Sequence, residues 1–109
     1  MRFIRTRQGT GFDPPSKGLL RFAAPDTANP GYRGKYHRVH AWWIELDDAG
    51  HPAREIGLDE HGAVVMAGPS ATDYGFWLDT DMRAGDFIGE PVAEADFERL
   101  WAASGVVAP

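Results

Sequence analysis

Lys35-Tyr36-His37-Arg38-Val39-His40-Ala41-Trp42-Trp43-Ile44-Glu45-Leu46 has the residue types and alternation of a long β-strand. Asp47-Asp48-Ala49-Gly50 interrupts it. Arg54 to Leu58 reads as a second strand, Asp59-Glu60-His61-Gly62 as a second turn, and Ala63 to Ala67 as a third strand. Strand, Gly-ending turn, strand, Gly-ending turn, strand is the rhythm of an antiparallel meander. In both turns an Asp side chain can bond its own backbone while the Gly takes positive φ.

Side chains alternate across a strand, so residues 36–46 sort into two sets. One set is Tyr36, Arg38, His40, Trp42, Ile44 and Leu46, and its apolar end points to the core. The other is His37, Val39, Ala41, Trp43 and Glu45, which turns Trp43 away from Trp42. In the next strand Ile56 and Leu58 are expected to join the core face with Arg54, leaving Glu55 opposite. Tyr74 to Leu78 reads as a fourth strand, with Tyr74, Phe76 and Leu78 on one face and Trp77 on the other.

Further out, Arg2 to Thr6 reads as a short strand, Leu19 to Ala23 as another, and Phe87-Ile88 as a last one. The stretches 8–18 and 24–34 are rich in Gly and Pro and read as loops. Asp79 to Asp86 is polar and turn-rich. Glu94 to Ala103 is the one clear helix. Phe97, Leu100 and Trp101 make its apolar stripe, Glu94 and Asp96 suit its first turn, and Gly105 ends it. Val92 and Phe97 have the spacing of a hydrophobic staple around Ala93, a poor capping residue. The expected fold is α+β, a twisted antiparallel sheet of four to six strands with one C-terminal helix packed on a face. It forms a single domain over 1–109, irregular over 1–35 and ordered into sheet and helix over 36–103.

A length of 109 residues and 43% apolar content suit one folded domain. No apolar run reaches the roughly 18 residues of a membrane span. Met1 to Arg7 is basic with no apolar run behind it, so a secretory leader is not expected. There is no cysteine, which excludes disulfides, thiol catalysis and thiolate-bound zinc. The expected compartment is the cytoplasm. Net charge is −5, yet residues 1–40 hold eight of the eleven Lys and Arg. The acidic remainder disfavours nucleic acid and favours steering toward a basic protein.

Catalytic and metal chemistry find little purchase. His37 and His40 are three apart and point to opposite faces of a strand, while His51 and His61 sit in turns. Asp79, Asp81 and Glu90 fall at the first, third and twelfth places of a calcium loop. Arg83 occupies the fifth place, however, and Gly85 comes one place late. Ser16, Ser70 and Ser104 lack a nucleophile setting, and Gly9-Thr10-Gly11 lacks the rest of a phosphate loop. Glu45 and Glu55 on neighbouring strands are a conceivable carboxylate pair, and nothing singles them out. No cofactor or metal is expected.

The tryptophans carry more information. Trp42 and Trp101 read as core. Trp43 and Trp77 fall opposite their apolar neighbours, which leaves two readings. Either the sheet is covered on both faces, by the helix on one and by Phe3, Ile4, Leu19, Leu20 and Phe22 on the other. Or Trp43, Trp77 and Tyr74 stay partly exposed, rimmed by Glu45, Glu55 and Asp79, as a protein-binding patch.

The order of three hairpin strands, an aromatic strand and a closing helix with Asp96-Phe97-Glu98-Arg99-Leu100-Trp101 resembles a group of small bacterial cytosolic domains from toxin–immunity neighbourhoods. In that group a segment like Arg54-Glu55-Ile56-Gly57-Leu58-Asp59-Glu60-His61-Gly62 precedes a strand. The likeness covers residues 36–103 and no functional residue transfers through it. It implies a non-enzymatic, immunity-type inhibitor that binds a protein partner, a basic toxin domain, through an acidic aromatic surface. The residues expected to carry binding are Trp43, Glu45, Glu55, Trp77, Asp79 and Asp81. Two alternatives stay open. One is a small-molecule or sugar-binding module with residues 8–34 as a lid. The other is a small enzyme pairing His37 with Glu45 or Glu55.

Overall fold

Extended backbone needs partners for its N–H and C=O groups, and among the described residues five antiparallel strands supply them to one another. The computed structural model describes residues 2–12 and 29–108. Strand β1 is Arg2–Thr6, β2 Ala41–Leu46, β3 Pro52–Leu58, β4 Val64–Gly68 and β5 Gly89–Pro91, and helix α1 is Glu94–Ser104. The sheet order is β4-β3-β2-β1-β5. The meander supplies β2, β3 and β4, and the first and last strands complete the sheet on the other side of β2. The α+β architecture, an antiparallel sheet with one C-terminal helix, is therefore as expected.

The two turns also form as read. Asp47 accepts from the Ala49 and His51 amides, and Asp59 from those of His61 and Ala63. Gly50 and Gly62 take φ of 82° and 80°. Helix α1 is preceded by Ala93 at the N-cap, which makes no side-chain cap bond, and followed by Gly105 at the C-cap in the left-handed region.

Four elements differ from expectation. Residues 36–40 do not extend β2, and Tyr36–Arg38 forms a single 3-10 turn. The strand is only as long as its neighbours allow, because β1 ends at Thr6 opposite Trp42 and β3 at Leu58 opposite Ala41. Secondly, the faces of β3 are reversed. The register sets Ile56 beside Trp43, Arg54 beside Glu45, and Glu55 beside Ile44, with a bulge at Glu45/Leu46. A one-residue slip sends every side chain to the other face. Apolar character could not reveal it, because both faces of this sheet are covered. Thirdly, Tyr74 to Leu78 is an irregular turn, not a strand. Fourthly, the last strand lies at Gly89–Pro91, just beyond Phe87-Ile88. The strand expected over Leu19 to Ala23 lies outside the described residues, as do Leu20 and most of the 8–34 lid.

Two cores result. On one face Ile4, Trp42, Ile44, Leu46, Met66 and Trp77 pack together, with Phe76 and Phe87 against them. Among the described residues, its cover is the irregular chain around Tyr32, Tyr36 and 76–87. On the other, Phe3, Ile56, Leu58, Ala67 and Phe97 form the core, joined by Trp43, Val92, Leu100 and Trp101. Phe97 is wholly buried, its ring 5.1 Å from that of Phe3. Phe97→Ala should therefore cost about 3–5 kcal/mol, read as a lower midpoint in urea unfolding. A loss below about 1 kcal/mol would show that the helix contributes little to stability.

Candidate functional site: the groove beside Trp43

On the loop-covered face, Glu55 is fully buried in β3. Its carboxylate needs donors, and two main-chain amides supply them. Phe76 and Trp77 each donate to it at 2.7 Å. These bonds explain why residues 74–78 leave the extended form: their N–H groups are committed to a side chain, not to a strand. Tyr32 lies beside the carboxylate, with its hydroxyl out of hydrogen-bond geometry. Burial pushes the Glu55 carboxyl up to about 7, against the pull of the Phe76 and Trp77 amides. Burial, then the neighbouring Glu55, raises the Tyr32 phenol well above its ordinary range. The same loop is tied again at Asn29, which accepts from the Gly75 amide at 2.6 Å, and at Asp73, which accepts from Gly31 at 2.6 Å.

On the helix face, Arg54 is the organising side chain. It donates to Glu45 at 2.7 and 3.1 Å, and pairs with Glu98 of α1 at 2.7 Å. Its guanidinium lies 5.0 Å from the ring centroids of both Phe97 and Trp101. Two carboxylates and two ring faces hold the cation, fastening helix to sheet. The bond to Glu45 is the first cause raising the Arg54 pKa, and the bond to Arg54 lowers that of Glu98.

Helix α1 does not cover this whole face. One row across the sheet reads Ala67, Ile56, Trp43, Arg5, Glu90. Ala67 and Ile56 are buried, Trp43 is half-buried, and Arg5 and Glu90 are exposed. Trp43 thus stands where the cover stops. Beyond it opens a groove of about 1120 Å³. Trp43, Ala41, Leu58 and Leu100 give it an apolar side, and Ile88, 81% exposed, stands on its rim. Arg5, Arg7 and Arg99 face Asp59, Glu60 and Glu90 around it. Arg5 is ion-paired with Glu90, and Arg99 with Asp96 at 3.0 Å. The groove is open to solvent. Among the described residues no three His, Asp or Glu side chains gather to hold a metal ion.

The six expected binding residues are not one surface. Trp43 lines the groove. Glu45 shares its face but is buried and held by Arg54. Glu55 and Trp77 lie on the opposite face, where Trp77 is 5% exposed. Asp79 and Asp81 are exposed beyond Trp77, away from Trp43. The pairing of Glu45 with Glu55 fails for the same reason, because consecutive positions of β3 point to opposite faces. Arg5, Arg7, Ile88 and Arg99 were not foreseen. The strand pairing of Arg5 with Trp43 was the needed signal, and it depends on β1 lying next to β2.

The buried carboxyl makes stability pH-dependent. Its folded value, about 7, lies above the ordinary 4.5, so folding retains a proton that the unfolded chain releases. Its contribution is complete below about pH 4.5 and is lost as pH rises through about 7. Relative to Glu55→Gln, the native chain should lose on the order of 3 kcal/mol across that window. Parallel stability–pH profiles for the two proteins would contradict this.

Compared with protein-family models, curated proteins and solved structures, the chain matches none.

Proposed function

We propose that this chain is a non-enzymatic protein-binding domain whose partner seats against the groove beside Trp43. The observation that carries the reading is the half-buried indole at the edge of the helix cover, with Leu58 and Leu100 beside it and Ile88 almost fully exposed nearby. Aromatic anchors at the centre of a patch, ringed by charges, supply most of the energy in protein interfaces. An open trough fits a macromolecular surface better than a small substrate, which is bound in a concave pocket. Three arginines and three carboxylates around the groove set register without net attraction. Long-range steering comes from the net charge of −5.

Following the family resemblance, the partner is a basic toxin domain, and the chain acts in the cytoplasm as its immunity-type inhibitor. Exposed Asp79 and Asp81, away from the groove, add to the net negative charge that steers such a partner. No described helix is long and apolar enough to cross a membrane.

The test uses the product of the neighbouring reading frame in the native host. Co-expression of this chain should relieve its toxicity, and the two should form a complex. Trp43→Ala and Ile88→Asp should each weaken that complex by tenfold or more, about 1.4 kcal/mol. Ile88→Asp should leave the unfolding midpoint unchanged, because that side chain is exposed. Full affinity in both variants would move the interface elsewhere, and a harmless neighbour would end the immunity reading.

A further inference from the structure

The floor of the groove beside Trp43 decides what kind of segment can lie on it. Trp43, Ala41 and Leu58 form that floor, with Arg5 next to Trp43. These residues belong to β1, β2 and β3, and each of those strands has a neighbour on both sides. Their main-chain N–H and C=O groups are therefore taken by the sheet. A segment lying on this floor receives no backbone hydrogen bonds from it, unlike a segment added at a sheet edge. An occupant pressed onto apolar side chains has to satisfy its own backbone. An α-helix does so along its length.

Helix α1 shows the same mode on the same face. It lies on β1 through Phe97 and Phe3, and its Ala103 and Ser104 border a hollow with Val64 and Val65 of β4. Arg99 and Leu100 of α1 line the groove. A second helix laid alongside would meet α1 at Leu100 and the sheet at Trp43, at the usual helix spacing of about 8–10 Å. From β3 across β2 and β1 to β5 is three strand spacings, about 14 Å. A helix covers that span in about 10 residues. Phe12 and Asn29, which bound the described segments, both lie on the opposite, loop-covered face.

The charges give the occupant its pattern. β1 and β3 flank β2 and end at the same level, at Thr6 opposite Trp42 and at Leu58 opposite Ala41. Arg7 follows the first and Asp59-Glu60 the second, so the groove is basic on one side of β2 and acidic on the other. Arg5 is neutralised by Glu90 and Arg99 by Asp96, whereas Arg7 forms no ion pair among the described residues.

We propose that the groove receives an amphipathic α-helix of the partner, laid alongside α1. Its apolar stripe rests on Trp43, Ala41 and Leu100, with an acidic side chain at the Arg7 end and a basic one at the Glu60 end. This rests on the reading of the groove as the partner's seat and names the element that fills it.

The probe is a pair of displayed libraries of segments about 14 residues long, panned against the full chain. One carries apolar residues at helical spacing and the other at every second position. The helical library should be enriched and the alternating one should not. A selected binder, made as a free peptide, should gain helical circular dichroism on mixing and shift the Trp43 indole N–H resonance. Trp43→Ala should weaken it by about tenfold or more. Arg7→Glu should weaken it by about threefold, and because Arg7 is exposed the unfolding midpoint should stay in place. Enrichment of the alternating library, or of neither, overturns the proposal. So does a helical binder with unchanged affinity in both variants. A Trp43-dependent complex with the neighbouring product, combined with failure of the helical library, removes the helix and leaves the groove reading standing. Helical peptides that bind at Trp43 beside a harmless neighbour keep the helix and end the immunity reading alone.

Discussion

A carboxylate sealed inside a sheet is tolerated only where donors converge on it, and that requirement shapes half of this molecule. Glu55 recruits the amides of Phe76 and Trp77. Those bonds bend residues 74–78 down onto the sheet and seat the Trp77 and Phe76 rings against Trp42. Asn29 and Asp73 then hold the segment near Tyr32 to the same loop. Among the described residues, little regular structure covers this face. What covers it is a set of side-chain-to-backbone bonds with Glu55 at the centre.

The preceding residue does the corresponding work on the other face. Arg54 binds Glu45 of β2 and Glu98 of α1 while lying against Phe97 and Trp101. Consecutive residues of one strand thus secure two unrelated covers, a loop by an acid and a helix by a base. The helix is only eleven residues long, and its reach decides where the groove begins. Trp43 is half-buried because it lies at that boundary, and its accessibility is a consequence of helix length as much as of its own chemistry.

Local signals in the sequence proved sound. The Asp-to-Gly turns, β1 and the helix with its Gly105 stop can be read from short patterns, because the interactions that form them are short-range. The register of β3 could not be read so. Ile56 is apolar and was expected beside Trp42, but apolarity assigns a face only when the other face is wet. Here Trp43 also looks into a core, and a bulge at Glu45/Leu46 sets the pairing. Tyr74 to Leu78 has strand-like residues, and what overrides them is a carboxylate about twenty positions earlier. The candidate groove was legible only at Trp43. Arg5, Arg7, Ile88 and Arg99 come from the two ends of the chain, and only the placement of β1 between β2 and β5 joins them.

That placement has a kinetic side. The Arg5–Glu90 contact joins positions 85 apart, and β1 waits for β2, some forty residues later, before it has any neighbour. Closing long loops precedes the reward of the contacts they bring, so topologies of this kind fold slowly for their size. On the ribosome, β2, β3 and β4 can assemble as each hairpin emerges, while β1 keeps one edge open until β5 has been made. The apolar residues Phe3 and Ile4 are therefore open to mispairing for as long as that edge is free, and a chaperone would find a target there.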